Sequence, residues 1–166
     1  NQTRYEGAAS PSTPSYITDD VAVGLSHIRQ LDALFDDKRF KELVTDMFFK
    51  VQSAWMARNM DNIKHLLTQE IYSIMKEDTD RMRREGRINR LENIAIRNVE
   101  ITEAWQEEGR DYITVEFNAN VLDYVTDETG KVLEGSNVEP VKFVEYWTFT
   151  RSAGPNQWQL SAIQQG

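Results

Sequence analysis

The sequence predicts an α+β domain in which helices precede an antiparallel sheet. Apolar residues recur at helical spacing in the first half of the chain and at every second position in the second half. The alternation is clearest over residues 143–165, where two strand-like segments flank the turn sequence Ser-Ala-Gly-Pro-Asn. Phe143, Glu145, Trp147 and Phe149 are expected to share one sheet face there. Helices that come before the strands, rather than between them, are typical of α+β folds.

The first element is a predicted linker followed by a short helix. Residues 1–17 are rich in Pro, Gly, Ser and Thr, a composition that predicts a flexible linker. Thr18 is a candidate N-cap, and two aspartates follow it in the first turn, where the helix dipole favours negative charge. Apolar residues then recur at helical spacing as far as Leu34. We therefore expect a leading amphipathic helix over residues 18–35.

A second and longer helix is predicted to begin at the N-cap Asp36. Phe35 before it and Phe40 after it occupy the positions of a hydrophobic staple, which fixes how a chain enters a helix. The apolar stripe that follows is expected to run to about Asn59. This helix is long enough to cover much of one sheet face.

A third helix is predicted between Thr68, its expected N-cap, and Gly86. Glycine readily adopts the left-handed conformation that is common at helix ends. Leu67 and Tyr72 form a second candidate staple, and residues 61–67 look like a single-turn connector from the second helix.

The change of apolar period in the second half of the chain predicts the strands. The alternation slips between Ile96 and Val99, which indicates a β-bulge near residues 97–98 that would bend the first strand. Turn sequences at residues 107–110 and 127–130 separate the strands that follow. We therefore expect a strongly bent, four-stranded antiparallel meander.

Together these elements predict a cone in which N-terminal helices pack on one face of the bent sheet. Residues 36–166 form the α+β domain in this prediction, and the leading helix packs on an edge or projects away. On the last strand, Trp158, Leu160 and Ala162 are expected to share a face.

Composition excludes several kinds of function. The chain of 166 residues has no cysteine and two histidines, so disulfides, thiol catalysis and cysteine-bound zinc are excluded and a histidine-rich metal site is disfavoured. Residues 1–90 carry 14 Lys/Arg and 14 Asp/Glu, whereas residues 91–166 carry 5 and 13, so the predicted sheet holds the whole net charge of −8. Because phosphate contacts need a basic face, we expect no nucleic-acid partner.

Sequence motifs add two further expectations. The nucleotide-binding patterns G-x-G-x-x-G and P-loop do not occur, nor does the zinc-protease pattern H-E-x-x-H. We therefore expect no cofactor and no metal. The chain also holds no run of about 18 apolar residues of the kind that spans a bilayer.

An ordered set of short motifs across residues 20–165 resembles a known family. The motifs are Gly24-Leu25-x-x-Ile28, Phe35-Asp36-x-x-x-Phe40, Ala54-Trp55, Leu66-Leu67-x-x-Glu70-x-Tyr72, Leu91-Glu92-Asn93-Ile94 and the hairpin Trp147-Thr-Phe-Thr-Arg151 … Trp158-x-Leu160. In this order they resemble the Tim44-like domain family, which comprises the C-terminal domain of the mitochondrial import-motor anchor and its bacterial relatives. The family lies within the nuclear transport factor two-like superfamily, so the resemblance implies that cone-shaped fold.

The resemblance implies binding and anchoring rather than catalysis. Mitochondrial members act in protein transport at the inner membrane and associate with anionic lipid such as cardiolipin. We therefore expect a non-catalytic, membrane-associated scaffold domain with a hydrophobic cavity for lipid or peptide and with a protein partner at the membrane. Bacterial members commonly carry a hydrophobic segment upstream. Association with the inner membrane through a segment before Asn1, with the domain on the cytoplasmic side, is the corresponding expectation.

Two sets of residues are candidates for this binding role. Large side chains of the predicted inner face are expected to line the cavity, or else to pack as ordinary core: Trp55, Tyr72, Met75, Phe117, Phe143 and Trp147. Arginines near the end of the third helix are expected to contact anionic lipid, or else to complement the helix dipole: Arg81, Arg83, Arg84 and Arg87.

Two other functions stay open on the sequence. Enzymes of the superfamily, such as ketosteroid isomerases and polyketide cyclases, use a carboxylate in the cone as a general base, and Glu145 is the candidate here. His65 is its candidate imidazole partner, whereas a salt bridge from Glu145 to Arg97 or Arg151 is the non-catalytic interpretation. A purely structural dimerisation module is the remaining alternative.

Overall fold

A bent antiparallel sheet wraps around packed helices in the computed structural model of the protein, which describes residues 19–166. The predicted linker 1–17 and the predicted cap Thr18 lie outside the described residues. The helical elements come first: α1 (Asp19–Leu31), α2 (Asp37–Met56), a 3-10 helix (Met60–Leu66) and α3 (Gln69–Glu85). The strands follow: β1 (Ile88–Glu107), β2 (Arg110–Thr126), β3 (Val132–Gly135), β4 (Val141–Ser152) and β5 (Gln159–Gln165). The predicted α+β class and order of elements are confirmed.

The sheet has one more strand than the sequence predicts. Its main path runs β1-β2-β4-β5 with antiparallel pairing, and β3 pairs with the end of β2. The fifth strand lies in the segment that we expect to be a polar loop before Pro140. The turn at Asp127–Gly130 returns the chain onto β2, with Val125 opposite Glu134. Four residues with two apolar side chains are too short a pattern to stand out from a loop.

The starts of α2 and α3 are anchored in different ways. The Asp36 carboxylate accepts from the Arg39 N–H at 2.9 Å, and Phe35 packs edge-to-face on Phe40 with ring centroids 5.7 Å apart, so the predicted cap and staple are confirmed. Thr68 occupies the predicted N-cap position of α3, but its side chain makes no capping hydrogen bond. Its backbone N–H donates instead to the carbonyl of Leu160, which docks α3 on β5.

Bulges bend the sheet. The predicted irregularity near residues 97–98 is confirmed by a register shift between Ile96 and Asn98, and β1 carries two more shifts, between Glu92 and Ala95 and between Ile101 and Glu103. Each extra residue increases the local twist. A 20-residue strand can therefore curve around the helices.

A further bulge corrects one predicted face. Ala162 pairs with Thr148, and Ile163, rather than Ala162, lies opposite Trp147, because the register shifts between Thr148 and Phe149. Trp158 lies before β5 begins and packs on Phe40, with ring centroids 4.9 Å apart. One inserted residue is enough to turn every later side chain to the other face.

The concave face of the sheet closes over α2 through an aromatic cluster. Phe48 stacks on Phe117 at 4.6 Å between ring centroids and lies 5.0 Å from Trp147 and 5.9 Å from Phe143. All four side chains are buried. Aromatic contacts of this kind contribute roughly 0.5–1.5 kcal/mol per pair beyond the area buried, so the cluster holds α2 against β2 and β4.

The backbones of α1 and β1 are in direct contact at Gly24. A Cβ atom placed on Gly24 would lie 1.9 Å from the carbonyl oxygen of Ala104. Val21, Leu25 and Ile28 flank this contact and are buried. The leading helix therefore packs on the edge strand of the sheet, which is the first of the two predicted placements, and does not project away.

Gly24→Ala is predicted to destabilise the domain by about 1–3 kcal/mol, because the added methyl group forces α1 away from β1. Alanine in place of glycine normally stabilises a helix by roughly 0.5–1 kcal/mol. A decrease in the free energy of unfolding would therefore report the contact between α1 and β1. Urea unfolding measures it, and Ser26→Ala on the exposed face of the same helix is the matched control. A stabilised Gly24→Ala variant would contradict this packing.

A buried ion cluster fastens the narrow end of the cone. Arg151 is 4% exposed and donates to Asp111 at 2.8 Å and to Asp32 at 3.1 Å. Its guanidinium also lies 4.3 Å from the ring centroid of Trp158. Since Asp32 follows α1, whereas Asp111 and Arg151 belong to β2 and β4, one side chain links the turn after α1 to the sheet.

Arg151→Met is predicted to cost about 3–5 kcal/mol, because it leaves the fully buried Asp111 without its cation. Arg97→Met is the control, since Arg97 makes an exposed bond to Asn120 and should change stability by less than about 1 kcal/mol. Thermal and urea unfolding at neutral pH compare the two. Equal, small effects would show that the cluster contributes little.

Candidate functional site

A cavity of about 690 Å³ opens at the wide end of the cone, where α3 and the sheet diverge. α3 forms one wall, and the start of β1, the end of β2, β3 and the start of β4 form the opposite one. At Gly135 the backbone φ is 76°, and a Cβ placed there would lie 2.5 Å from the carbonyl oxygen of Asp123. Glycine at this position is therefore what lets β3 lie so close to β2.

Aromatic side chains and one buried carboxylate form the inner end of the cavity. Trp55 of α2 and Phe143 of β4 line it, and both are 5% exposed. Glu145 follows two residues after Phe143 on the same strand face, also lines the cavity and is 1% exposed. Its Oε1 accepts a hydrogen bond of 2.9 Å from the indole Nε1 of Trp147. The fold thus holds a carboxylate among aromatic rings.

A chain of hydrogen bonds stiffens one wall. The indole Nε1 of Trp55 donates to Asn89 at 2.9 Å, and the Asn89 amide donates to the Asp123 carboxylate at 3.0 Å and to the Tyr124 carbonyl at 3.2 Å. The Tyr124 hydroxyl in turn donates to Glu92 at 2.5 Å, and this bond raises the pKa of the tyrosine. These bonds join α2, β1 and β2 and give the wall a defined shape.

The mouth of the cavity is charged. Arg81 donates to Asp78 at 2.6 Å, a bond that raises the pKa of the guanidinium, and Arg87 forms an ion pair with Glu134 of β3. The whole lining contains five carboxylates and two guanidinium groups: Asp78, Glu85, Asp123, Glu134 and Glu145, with Arg81 and Arg87. Acidic groups are therefore in excess by three.

The structure brings together some of the residues predicted to line the cavity. Trp55 and Phe143 do so. Three others are fully buried in the core: Met75, Phe117 and Trp147. Tyr72 is buried on α3, where its hydroxyl donates to Asp61 and its ring faces the Lys64 ammonium at 4.6 Å. The hydrogen bond to Asp61 raises the pKa of Tyr72.

The four arginines predicted to contact lipid have different surroundings. Arg81 and Arg87 lie at the cavity mouth with carboxylate partners. Arg83 donates to the carbonyls of Ala57 and Arg58, which satisfies backbone groups just after α2. The Arg84 side chain is exposed. Three of the four are thus engaged within the domain.

Glu145 is buried and faces the cavity, but its predicted neighbours lie elsewhere. Arg97 donates to Asn120, and Arg151 belongs to the cluster at the narrow end, so neither forms the salt bridge that we expected. His65 lines a different groove, on the outer side of α2. Within residues 19–166, no group of three or more acidic or histidine side chains is arranged to hold a metal ion.

That second groove, of about 660 Å³, was not predicted. It lies between the turn after α1 and the loop before β5, and it is lined by Phe35, Phe40 and Trp158. Leu34 at its rim is 86% exposed. The sequence assigns Phe35 and Phe40 to a hydrophobic staple and Trp158 to the face of the last strand, so sequence reasoning does not distinguish a groove from a packed contact.

Comparison with known proteins identifies the fold. The model of the Tim44-like domain family matches residues 21–165. Among solved structures, the crystal structure of the intermembrane space region of chloroplast protein ARC6 is similar, with a TM-score of 0.51 and 9% sequence identity; the match covers 80% of this chain and 98% of that chain. A search of curated proteins found no match. In residues 19–166, no helix is both long and apolar enough to cross a membrane.

Gly135→Ala is predicted to cost about 1–2 kcal/mol more than Gly130→Ala. Both glycines have positive φ, 76° and 93°, but only Gly135 lies against backbone; a Cβ on Gly130 meets nothing within 4 Å. The difference between the two variants in urea unfolding therefore isolates the close approach of β3 to β2. Equal losses of stability in the two variants would show that β3 does not lie closely against β2 at Gly135.

Proposed function

The chain belongs to the Tim44-like domain family, whose members are membrane-associated scaffold domains, and from that premise we propose that it is a non-catalytic binding module. Its cavity holds an apolar ligand or a segment of a partner polypeptide. The observation that carries this proposal is the 690 Å³ space at the wide end of the cone, which lies within the usual range of about 300–1,000 Å³ for ligand sites.

Two features indicate that the cavity is a ligand-binding site and not a packing defect in the core. Its mouth carries two ion pairs, Arg81 with Asp78 on α3 and Arg87, between α3 and β1, with Glu134 of β3. Its inner end carries the large side chains Trp55, Phe143 and Leu91. Aromatic groups at the base of a polar rim are typical of binding sites.

The alternative is an isomerase- or cyclase-like enzyme that uses Glu145 as its base. One observation favours it, namely that Glu145 is buried and lines the cavity. The indole of Trp147, which donates to Glu145, has no acid–base role near neutral pH, and His65 lies in the other groove. A catalytic pair needs two groups that exchange protons at one substrate. We therefore propose the binding function in preference to the enzymatic one.

A ligand for the cavity is predicted to raise the melting temperature of the domain by a few degrees. At ligand concentrations of about ten times Kd, the expected stabilisation is roughly 1.4 kcal/mol. Decan-1-ol and a blocked leucine-rich peptide are suitable probes for a thermal-shift measurement. The cavity-blocking variant Val141→Trp should lose this shift in melting temperature. Val138 is 73% exposed and does not line the cavity, so the control variant Val138→Trp should keep the shift.

Retention of the shift in Val141→Trp would place binding outside the cavity. Absence of any shift, together with no retained ligand in native mass spectra of the purified domain, would contradict the binding function.

For the membrane, we propose that the arginines near the end of α3 face an anionic leaflet, because the sheet half carries the net charge of −8. Since Arg81, Arg83 and Arg87 have partners within the domain, the attraction should be weak. We predict salt-sensitive binding to cardiolipin-containing vesicles and none to neutral ones. Replacing Arg83, Arg84 and Arg87 by Gln should abolish it, whereas replacing Arg29, Lys38 and Lys41 by Gln should leave it unchanged.

Cosedimentation measures this binding. Binding that persists in about 0.5 M salt, where the Debye length is only a few Å, or equal binding to neutral vesicles would show that apolar insertion dominates instead.

A further inference from the structure

We propose that two copies of this chain associate through the groove on the outer side of α2, with their α2 helices antiparallel about a two-fold axis at Leu43. The groove shares no lining residue with the cavity at the wide end of the cone. The inference therefore goes beyond the proposed binding function and is tested independently of it.

Apolar side chains are exposed along this groove. Leu43 of α2 is 45% exposed, and Leu34 at the rim is 86% exposed. Phe35, Phe40 and Trp158 line the same groove. Apolar side chains that lie together at a surface, with charged side chains around them, are typical of protein–protein contacts. The occupant must therefore offer apolar surface of its own, and a second copy offers the same two leucines.

One stripe of α2 carries charges of both signs around Leu43. The stripe begins at the cap Asp36 and continues at intervals of three or four residues, which keeps its members on one side of the helix: Asp36, Arg39, Leu43, Asp46 and Lys50. All five residues line the groove and are exposed. Asp36 and Lys50 each lie seven residues from Leu43, in opposite directions. Arg39 and Asp46 lie four residues before it and three after it.

An antiparallel arrangement of two such stripes brings opposite charges together. With Leu43 of both copies at the axis, Asp36 of one copy faces Lys50 of the other, and Arg39 faces Asp46. Two-fold symmetry forms each of these contacts twice. A parallel arrangement would instead place each charge opposite its own counterpart. Within one chain Lys50 pairs with Asp46 at 2.8 Å, but exposed pairs of this kind contribute little, so they do not prevent new contacts.

The distribution of charge favours a second copy over an anionic lipid surface. Residues 1–90 are neutral and residues 91–166 carry −8, so contact on the outer side of α2 joins neutral halves and leaves the two acidic sheets on opposite sides of the dimer. An anionic leaflet would require an excess of cations. The groove has three carboxylates and three cationic side chains: Asp32, Asp36 and Asp46, with Arg39, Lys50 and Arg151.

Analytical ultracentrifugation of the full 166-residue chain tests the proposal. Small interfaces are typical of weak association, so we expect the mass to rise from that of one chain toward that of two between about 10 and 500 µM. Leu43→Asp places two carboxylates at the axis and should weaken dimerisation at least about tenfold. Ile74→Asp is the matched control, because Ile74 is 41% exposed on α3 and does not line the groove.

Charge reversal tests the antiparallel pairing itself. Arg39→Asp and Asp46→Arg each place like charges opposite one another twice, so each variant alone should dimerise at least about tenfold more weakly than the natural sequence. Both positions are exposed, so both variants should fold. An equimolar mixture of the two variants should dimerise within about threefold of the natural sequence, because both contacts between positions 39 and 46 then join opposite charges. An effect confined to one chain would not produce this recovery.

Other results overturn the proposal. A natural chain that stays monomeric throughout this concentration range would contradict it. If that monomer also lost its binding to cardiolipin-containing vesicles in Leu43→Asp, the face would be a lipid contact instead. Dimerisation that is equally strong in Leu43→Asp would place the dimer interface elsewhere. Failure of the mixed variants to recover dimerisation would exclude the antiparallel pairing.

Discussion

The insertion of α2 into the concave face of the sheet is the constraint on which the rest of the structure depends. Phe48 is fully buried between β2 and β4, in contact with Phe117, Phe143 and Trp147. Such a cluster can form only if both strands curve toward the helix, and the bulges of β1 permit that curvature. Two turns further along α2, at Trp55, the sheet and α3 have diverged and the cavity begins. The cavity is therefore a consequence of where the aromatic packing ends.

The two ends of the cone use charge in opposite ways. At the narrow end, Arg151 is 4% exposed and is paired with both Asp111 and Asp32, so this ion cluster fastens the turn after α1 to the sheet. At the wide end, the pairs of Arg81 with Asp78 and Arg87 with Glu134 lie at a rim open to solvent. Burial is what makes the first arrangement structural. Accessibility makes the second a surface for recognition.

The sequence predicts the elements of this fold better than it predicts the site. Local signals suffice for the Asp36 cap, the Phe35–Phe40 staple, the turn at Gly86 and the bulge near Asn98, because each depends on residues close together in the chain. The cavity depends on β3 lying beside β2 and on the chain of bonds from Trp55 through Asn89 to Asp123, which joins residues 34 positions apart at each step. Periodicity carries no information about such distant neighbours. It identifies Phe117 and Phe143 alike as inner-face residues, although only Phe143 of the two lines the cavity.

The central claim is that the wide end of the cone is an accessible, preformed space, whereas the part of the sheet around Ile101 is packed core. Cysteine labelling tests it most directly, since the chain contains no cysteine of its own. Leu91 and Ile101 lie on β1 opposite Asp123 and Val115, are 4% and 1% exposed, and differ in that only Leu91 lines the cavity. Under native conditions, Leu91→Cys should react with a small thiol reagent orders of magnitude faster than Ile101→Cys, whose labelling should need global unfolding. Equal, unfolding-limited rates at both positions would contradict the account.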